Sequence, residues 1–349
     1  MSNKTGGTFG VIGNTAITSA IASSLRNGSL AHAYILIGPN KIGKSTLARR
    51  LAQSVNCVAD NEGLACLQCN QCIRIEAMNH ADVEIITPEK SSSSDEGVDS
   101  YTDANIQRLK ELERDVSLKP YEGKKRVFIL SNLDEMRSEN FNVLLKVLEE
   151  PPTDVLFVLT ANHYGYIPAT VLSRCQRFDF LPVSPTEIIQ ALISQEQITE
   201  DRATSIANLS DGSIGWAIES ARDFSIAEQY LKERNDFARM LSNDLQGKII
   251  YGEKIANLFW RDRAHVFEQL SMMISWWRTM LLFLQGNTTA VLSEEIEILR
   301  EASTAYTVFG IVAAIKKTRD IMDYLHSINN PNPRIALESL MISIHSRIR

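Results

Sequence analysis

The segment GPNKIGKS, from Gly38 to Ser45, places two glycines, a lysine and a serine at the spacing G-x-x-x-x-G-K-[ST]. It follows the apolar run AYILI and precedes STLARRLAQSV, which has a helical pattern. In this context the glycines let successive backbone N–H groups face a phosphate, and the lysine can reach the β- and γ-phosphates of a nucleotide. A glycine-rich turn before a helix is the alternative. The candidate nucleotide-binding residues are Gly38, Gly43, Lys44, Ser45 and Thr46.

Four cysteines lie close together directly after that helical segment. Cys57, Cys66, Cys69 and Cys72 have the spacing C-x8-C-x2-C-x2-C. Four thiolates suit a tetrahedral Zn²⁺ ion, and a site filled by four protein ligands leaves no position for a reactive water. The spacing therefore predicts a structural zinc site that braces a loop. Scattered buried thiols and a redox Cys-x-x-Cys pair are the alternatives, and both account less well for four such short steps.

A second apolar run, Val127 to Leu130, reads like the other half of an ATP-binding site. In such a site the strand ends in an acidic residue that holds magnesium, but this run ends in Ser131 and Asn132. A hydroxyl and an amide are poor replacements for a carboxylate as magnesium ligands. Asp134 and Glu135 follow three residues later and are expected past the strand tip. They could serve the site only if the strand register shifted.

Composition restricts the class of protein. The chain has 349 residues, 44% of them hydrophobic and 22% charged, which is enough for two or three domains with their own cores. A net charge of −6 argues against a protein that coats nucleic acid by bulk electrostatics. No signal-peptide pattern and no run of about 18 uncharged apolar residues occurs, so we expect a cytoplasmic protein without a membrane partner. Its five cysteines are then expected to be reduced.

Short β-rich runs alternate with helical patterns in the first half of the chain, which indicates a parallel sheet covered by helices. The predicted strands are Tyr34 to Ile37, Val83 to Ile86, Val127 to Leu130 and Val155 to Thr160. The polar, acidic segment 88–103 is predicted to be a mobile surface loop. After Phe180 a proline-flanked link and a candidate N-cap, Ser184, introduce helical spacing that continues to the end of the chain.

Two further segments identify a resemblance. NVLLKVLEEPP (142–152) and LSRC (172–175) follow the phosphate-loop motif and the cysteines in the order found in bacterial clamp loaders. From about residue 8 to its end, where NPRIALESLM looks like a last collar helix, the chain resembles the delta-prime subunits of the DNA polymerase III clamp-loader complex. The resemblance implies an AAA+ fold: a P-loop domain at 1–180 with the four-cysteine insert at 57–72, a helical lid at 181–222 and an all-α collar domain at 223–349.

The resemblance also implies a role for Arg174. In a clamp-loader ring the arginine of LSRC points into the ATP site of the next subunit, where it acts in trans as an arginine finger. Taken without the family, an arginine at a helix end more often caps carbonyl groups or pairs with a nearby acid such as Asp179.

Two departures from the family pattern argue against ATP hydrolysis. Aligned from LLKVLEEPP, Ser131 and Asn132 stand where hydrolysing relatives carry an Asp-Glu pair, whose Glu orients the attacking water. The family lid helix brings an arginine to the γ-phosphate just after a Gly-Ser pair, but DGSIGWAIES offers Ile214, Gly215 and Trp216 there. Arg222 is the nearest candidate. We therefore expect ATP or ADP to bind without useful turnover, and the sequence argues against a Mg²⁺ site.

The expected function is that of a clamp-loader subunit in a hetero-pentameric ring with catalytic and delta-type subunits. It would help to load the sliding clamp onto primed DNA and would reach clamp and DNA through the complex. An independently active AAA+ ATPase of the clamp-loader or helicase-loader type is the alternative. A zinc finger on DNA is a third possibility, but the lack of Lys and Arg between Cys57 and Cys72 counts against it.

Two later features leave alternatives open. The stripe in AHVFEQLSMMISWWRTMLLFLQ fits either a bundle core or a subunit interface anchored by Trp276. The basic run Lys124 to Arg126 fits a solvated strand entry better than a DNA contact.

Overall fold

The computed structural model describes residues 8–59, 63–87, 89–90, 99–100, 103–136, 140–287, 295–327 and 331–346. The chain divides into two compact units. One consists of Met1–Glu89 and Ser100–Ile218, and the other of Lys90–Asp99 and Glu219–Arg349. The finer division at residues 180 and 222 stays a prediction.

The first unit is built around a parallel sheet. The strands of the chain are β1 (Ala33–Ile37), β2 (Val83–Ile86), β3 (Glu89–Lys90), β4 (Asp99–Ser100), β5 (Arg126–Leu130), β6 (Val155–Ala161) and β7 (Gln176–Asp179). Five of them form the sheet in the order β2-β5-β6-β1-β7, and β3 pairs with β4 alone. All four neighbouring strand pairs in this sheet are parallel. The predicted parallel α/β fold and all four predicted strands are confirmed.

Strand β7 was not predicted from the sequence. Its residues, QRFD, lie at an edge of the sheet and are mostly exposed, so they do not form an apolar run. Of the loop predicted at 88–103, residues 88, 91–98 and 101–102 lie outside the described part of the chain, and β3 and β4 are short strands within it.

The first unit also contains helices, some before or between the strands of the sheet and others after the last strand. They are α1 (Thr15–Arg26), α2 (Lys44–Asn56), α3 (Asn70–Glu76), α4 (Asp103–Val116), α5 (Phe141–Glu149), α6 (Ala169–Leu172), α7 (Pro185–Glu196), α8 (Glu200–Leu209) and α9 (Ile214–Arg222), of which the last continues into the second unit. Ser184 caps α7 as predicted: its hydroxyl accepts from the Glu187 N–H, and the Glu187 carboxylate accepts from the Ser184 N–H. The core of the sheet consists of aliphatic residues and stacked aromatic rings such as Phe128 and Phe157.

From Glu219 onward, the regular elements among the described residues of the second unit are helices, whereas Lys90 and Asp99 of the same unit lie in β3 and β4. Its helices are α10 (Phe224–Leu241), α11 (Leu245–Ala256), α12 (Arg263–Leu284), α13 (Ile296–Ser303), α14 (Val308–Ser327) and α15 (Pro333–Ser346). Among the described residues no single helix is apolar and long enough to cross a membrane, although α13 with α14, bent by 107°, passes the test of length and composition as a pair.

Helix α12 lies in the core of this unit. Trp276 and Trp277 are 1% and 0% exposed, and their rings meet edge to face with centroids 5.0 Å apart. Both rings also pack edge-on against Phe237 of α10. The possibility that Trp276 anchors a subunit interface is therefore wrong, because its side chain is buried in the core of its own unit.

Candidate functional site

The phosphate loop lies where three strands end. Strand β1 runs between β6 and β7, so the loop that leaves β1 has the carboxyl ends of both neighbours beside it. The Gly38 N–H donates to Ala161 O (3.1 Å), and the Phe180 N–H donates to Ile37 O (2.6 Å). A side chain on Gly38 would come within 2.7 Å of Phe180 O, and Gly43 has a φ of 107° directly before α2. Glycine is therefore required at both positions.

Lys44 is the first residue of α2, and its side chain turns back over the loop. It is 5% exposed. Its ammonium group donates to Gly38 O (2.5 Å), Pro39 O (2.7 Å) and Asn162 Oδ1 (3.0 Å). Burial lowers the pKa of Lys44 to about 8, while the Asp134 carboxylate acts in the opposite direction. Ser45 and Thr46, one and two residues on, are exposed at the start of the helix.

Asp134 lies beside Lys44 although the register of β5 is not shifted. The expectation that Asp134 could serve the site only after such a shift is therefore wrong. Strand β5 ends at Leu130 in regular parallel pairing, Asn132 adopts left-handed backbone geometry (φ 50°), and a 3-10 turn follows. This turn brings Asp134 back to the strand ends, where its Oδ1 accepts from the Asn162 N–H (3.1 Å). Asp134 is 5% exposed. Asn162 thus links Lys44 to a buried carboxylate.

The residues at the strand tip itself are held by other contacts. The Asn132 N–H donates to Thr160 Oγ1 (3.1 Å), and its side-chain amide donates to Glu135 Oε1 (3.1 Å). Asn162 was missed by the sequence analysis. It could have been found as the polar residue that follows a buried apolar strand, a usual position for site residues in parallel sheets.

The start of α9 is attached to the phosphate loop. The Gly215 N–H donates to Lys41 O (2.7 Å), and the Ser213 hydroxyl donates to Asn40 O (3.1 Å). A Cβ atom at Gly215 would stand 2.7 Å from Lys41 O. Because the backbone approaches so closely, a larger residue at 215 would force the helix away from the loop. Arg222, the candidate nearest in sequence, is the last residue of α9.

Arg174 follows the short helix α6 and lies at the surface. Its Nη1 donates to Thr170 O (2.8 Å), and its Nη2 donates to Glu149 Oε1 (2.8 Å). The side chain is 34% exposed. Asp179, the acid proposed as its partner from sequence, pairs with Arg177 instead. The neighbouring Cys175 packs against the sheet core, and burial raises the pKa of its thiol to about 12.

The four cysteines of the insert come together. Their sulfur atoms all lie within 4.8 Å of one another, with Cys57 and Cys69 Sγ 4.0 Å apart. Tetrahedral Zn–S bonds of about 2.3 Å require sulfurs about 3.8 Å apart, so the arrangement fits a zinc ion. Backbone N–H groups point at three of the sulfurs: Cys66 N at Cys57, Cys69 N at Cys66 and Cys72 N at Cys69, at 3.4, 3.3 and 3.5 Å. Such donors stabilise the thiolates that a metal requires.

The thiols differ in acidity. Hydrogen bonds from the Gln68 and Cys69 N–H groups lower the pKa of Cys66. Burial raises the pKa of Cys69, but the Val58 and Cys72 N–H groups and the neighbouring thiols outweigh it and bring the value to about 6. Burial raises the pKa of Cys72. A bound Zn²⁺ would complete the set of thiolates and hold the loop closed, with no part in chemistry.

The loop around the cysteines is tied to α2 and to the entry of β5. The Gln53 amide donates to Cys72 O (2.7 Å), and the Lys124 ammonium donates to Cys57 O (2.5 Å). Lys125 and Arg126 likewise donate to backbone carbonyls, of Thr153 and Asp115. The three basic side chains therefore hold the entry of β5 to neighbouring backbone carbonyls.

Comparison with known proteins agrees with this architecture. Residues 13–184 match a family model described as DNA polymerase III, delta subunit, and residues 228–346 match its C-terminal counterpart. The chain is 27% identical to the DNA polymerase III subunit delta' of Bacillus subtilis, over 94% of this chain and 95% of that protein.

The chain spans only part of a gamma-subunit relative and nearly the whole of a solved structure. It is 33% identical to the DNA polymerase III subunit gamma of Buchnera aphidicola over 60% of this chain, and spans 54% of that protein. Among solved structures, a gamma subunit-related protein of Thermotoga maritima aligns over 94% of this chain and 99% of its own, with a TM-score of 0.39 and 13% identity. The two family matches and the full-length similarity to a delta' subunit show that this chain belongs to the delta-prime family of DNA polymerase III clamp-loader subunits.

Proposed function

We propose that this protein assembles with catalytic and delta-type subunits into a five-membered clamp-loader ring and helps to load the sliding clamp onto primed DNA. Its family membership and the division into a sheet-based unit and a helical unit support this function. Clamp and DNA would be reached through the complex, since the basic run 124–126 is engaged with backbone carbonyls.

Within that ring the chain binds ATP or ADP at Gly38, Gly43, Lys44, Ser45 and Thr46 and contributes little hydrolysis of its own. The observation that carries this proposal is the tip of β5, where Ser131 and Asn132 follow the strand in place of acidic residues while the phosphate loop after β1 is intact. A hydroxyl and an amide bind Mg²⁺ weakly and cannot take a proton from water. Gly215 supports the same proposal, because the residue of α9 whose N–H contacts the phosphate loop has no side chain that could reach a phosphate.

Arg174 serves the neighbouring site. Its guanidinium lies on the surface, and the two main contacts, to Thr170 O and Glu149, leave further N–H groups of its five for an anion. Such a group stabilises the charge that develops on a transferring phosphoryl group.

One observation favours the alternative of an active ATPase. Asp134 lies buried beside Lys44 and Asn162, where a carboxylate could help to hold a metal-bound nucleotide. If the isolated protein hydrolyses ATP at the rate of an active AAA+ enzyme and Asp134→Asn abolishes that rate, this alternative replaces the inert-site proposal.

The main test measures ATP turnover by a complex of this protein with a catalytic clamp-loader subunit from the same source. Arg174→Ala is expected to assemble but to lower turnover at the site it serves by on the order of 10³-fold. Arg177→Ala, an exposed arginine three residues on, is the matched control and should leave turnover unchanged. Equal turnover in the wild-type and Arg174→Ala complexes would remove the finger from the proposal.

A further inference from the structure

Glu149 occupies a helix position that helix stability does not favour. It is the last residue of α5, at the end where the helix dipole is negative, and Pro151 prevents the helix from continuing. A carboxylate is disfavoured at this end of a helix. The side chain is 53% exposed, so packing does not explain it either. Its ion pair within the described chain is with Arg174.

The contacts fix the plane of the Arg174 guanidinium from two sides. Glu149 Oε1 accepts from Nη2 (2.8 Å), and the carbonyl of Thr170 accepts from Nη1 (2.8 Å). The two acceptors come from α5 and α6, which pack against each other. Ser173 Oγ is a third, longer contact of Nη1 at 3.5 Å. A long side chain at the surface is thus held in one orientation by a carboxylate and a carbonyl.

The pair is too exposed to matter much for folding. Ion pairs between exposed side chains contribute little to stability, because water screens them and ordering both side chains costs entropy. Arg174 and Glu149 are 34% and 53% exposed. The pair does fix the direction in which the Arg174 guanidinium points. Nη1 and one N–H of Nη2 are engaged, whereas Nε–H and the second Nη2 N–H have no partner among the described residues. Two donors remain for a phosphate.

We propose that Glu149 is a positioning residue for Arg174: it orients the guanidinium so that its remaining N–H groups are presented to the phosphates bound by a neighbouring subunit. This inference rests on the proposed role of Arg174 as a finger in trans. Glu149 does not touch nucleotide. It acts by reducing the number of orientations that Arg174 must lose when the neighbouring site reaches its transition state.

The test compares ATP turnover of the assembled complex with Glu149→Ala, Glu149→Gln and Glu150→Ala in this subunit. Glu149→Ala should lower kcat about fivefold, the size expected for an exposed charge pair, with little change in KM for ATP. Glu149→Gln keeps an acceptor oxygen and should recover part of that loss. Glu150→Ala changes the adjacent, exposed carboxylate and should have no effect.

The double variant separates positioning from a structural role. In an Arg174→Ala background, Glu149→Ala should cause no further loss, because there is no guanidinium left to orient. An Arg174→Ala complex with full turnover overturns both the finger and the inference. If the Arg174→Ala complex turns over ATP slowly, the inference alone is overturned when the Glu149→Ala complex turns over ATP as fast as the wild type or faster. It is also overturned when Glu149→Ala lowers turnover by the same factor with Arg174 present and with Arg174→Ala.

Discussion

At the scale of single residues, Lys44 decides how the phosphate loop responds to pH. Its three N–H donors all point at oxygen atoms of the site, and burial lowers its pKa to about 8. A nucleotide's phosphates would favour the cationic form and compete for the same donors. Nucleotide binding would therefore be coupled to the protonation of Lys44.

We predict that affinity for ADP is nearly constant below pH 8 and falls above it. The sign follows from linkage: the free site loses its proton near pH 8 while the bound site keeps it, so above that pH binding must take up a proton. The loss should approach tenfold per pH unit, about 1.4 kcal/mol. Titration calorimetry from pH 7 to 9.5 measures it. In Lys44→Arg the cation persists throughout this range, and whatever affinity remains should not decline. A flat profile for the wild type would contradict the prediction.

At the scale of secondary-structure elements, a buried ion pair joins helices of the second unit. Arg234 of α10 contacts the carboxylate of Glu295, which precedes α13, and donates to Ser275 and Thr279 of α12 at 3.2 and 2.9 Å. Arg234 and Glu295 are both 3% exposed. A charge in such a place is tolerated only when its partner and hydrogen bonds are present.

Removing one member should cost more than removing both. We expect Arg234→Met to lower the free energy of unfolding by about 3–5 kcal/mol, because Glu295 is left buried without its partner. Arg234→Met combined with Glu295→Leu should recover most of that loss. Urea unfolding of the full-length protein gives both values. Arg239→Met, at an exposed position of α10, serves as the control. A double variant less stable than the single one would show that the pair itself stabilises the unit.

Neighbouring elements also hold the backbone at the basic run 124–126 in place. Asp82, just before β2, accepts the N–H groups of Tyr121, Glu122 and Gly123, and Asn56 accepts those of Lys124 and Lys125. Burial raises the pKa of Asp82, but the N–H groups of Tyr121, Glu122 and Gly123 outweigh this effect and hold the pKa below its usual value. The segment before β5 is thus fixed by the end of α2 and the start of β2.

At the scale of the whole molecule, a metal bound by the four-cysteine insert should stabilise the first unit and not the second. All four cysteines lie in the first unit, and contacts from Gln53 and Lys124 connect their loop to α2 and β5. Metal binding free energy adds to the stability of whatever folds around the metal. The second unit has its own core, built from helices α10 to α15.

We predict one zinc per chain and selective destabilisation on its removal. A chelator should lower the thermal unfolding temperature of the first unit by roughly 5 °C or more and leave the transition of the second unit in place. Elemental analysis and calorimetry of the full-length protein measure these two quantities. Cys66→Ser should lose the metal, whereas Cys175→Ser, outside the cluster, should retain it. Identical melting with and without zinc would contradict the structural role.

The sequence by itself determined the features that depend on residues close together in the chain. The phosphate loop, four sheet strands, the Ser184 cap and the spacing of the cysteines each depend on a local pattern, since backbone geometry and ligand spacing repeat over a few residues. The sequence also showed that the tip of β5 lacks an acid. It could not show that Asn132 would turn the chain so that Asp134 returns to Lys44.

Tertiary structure alone decided which distant side chains meet. Glu149 lies beside Arg174, Asn162 beside Lys44, and Arg234 beside Glu295, although 25, 118 and 61 positions separate the pairs. It also decided that Trp276 belongs to a core, because helical periodicity is the same for a face buried in its own domain and for one buried by a partner. These outcomes depend on how strands and helices pack, and no local pattern records the packing.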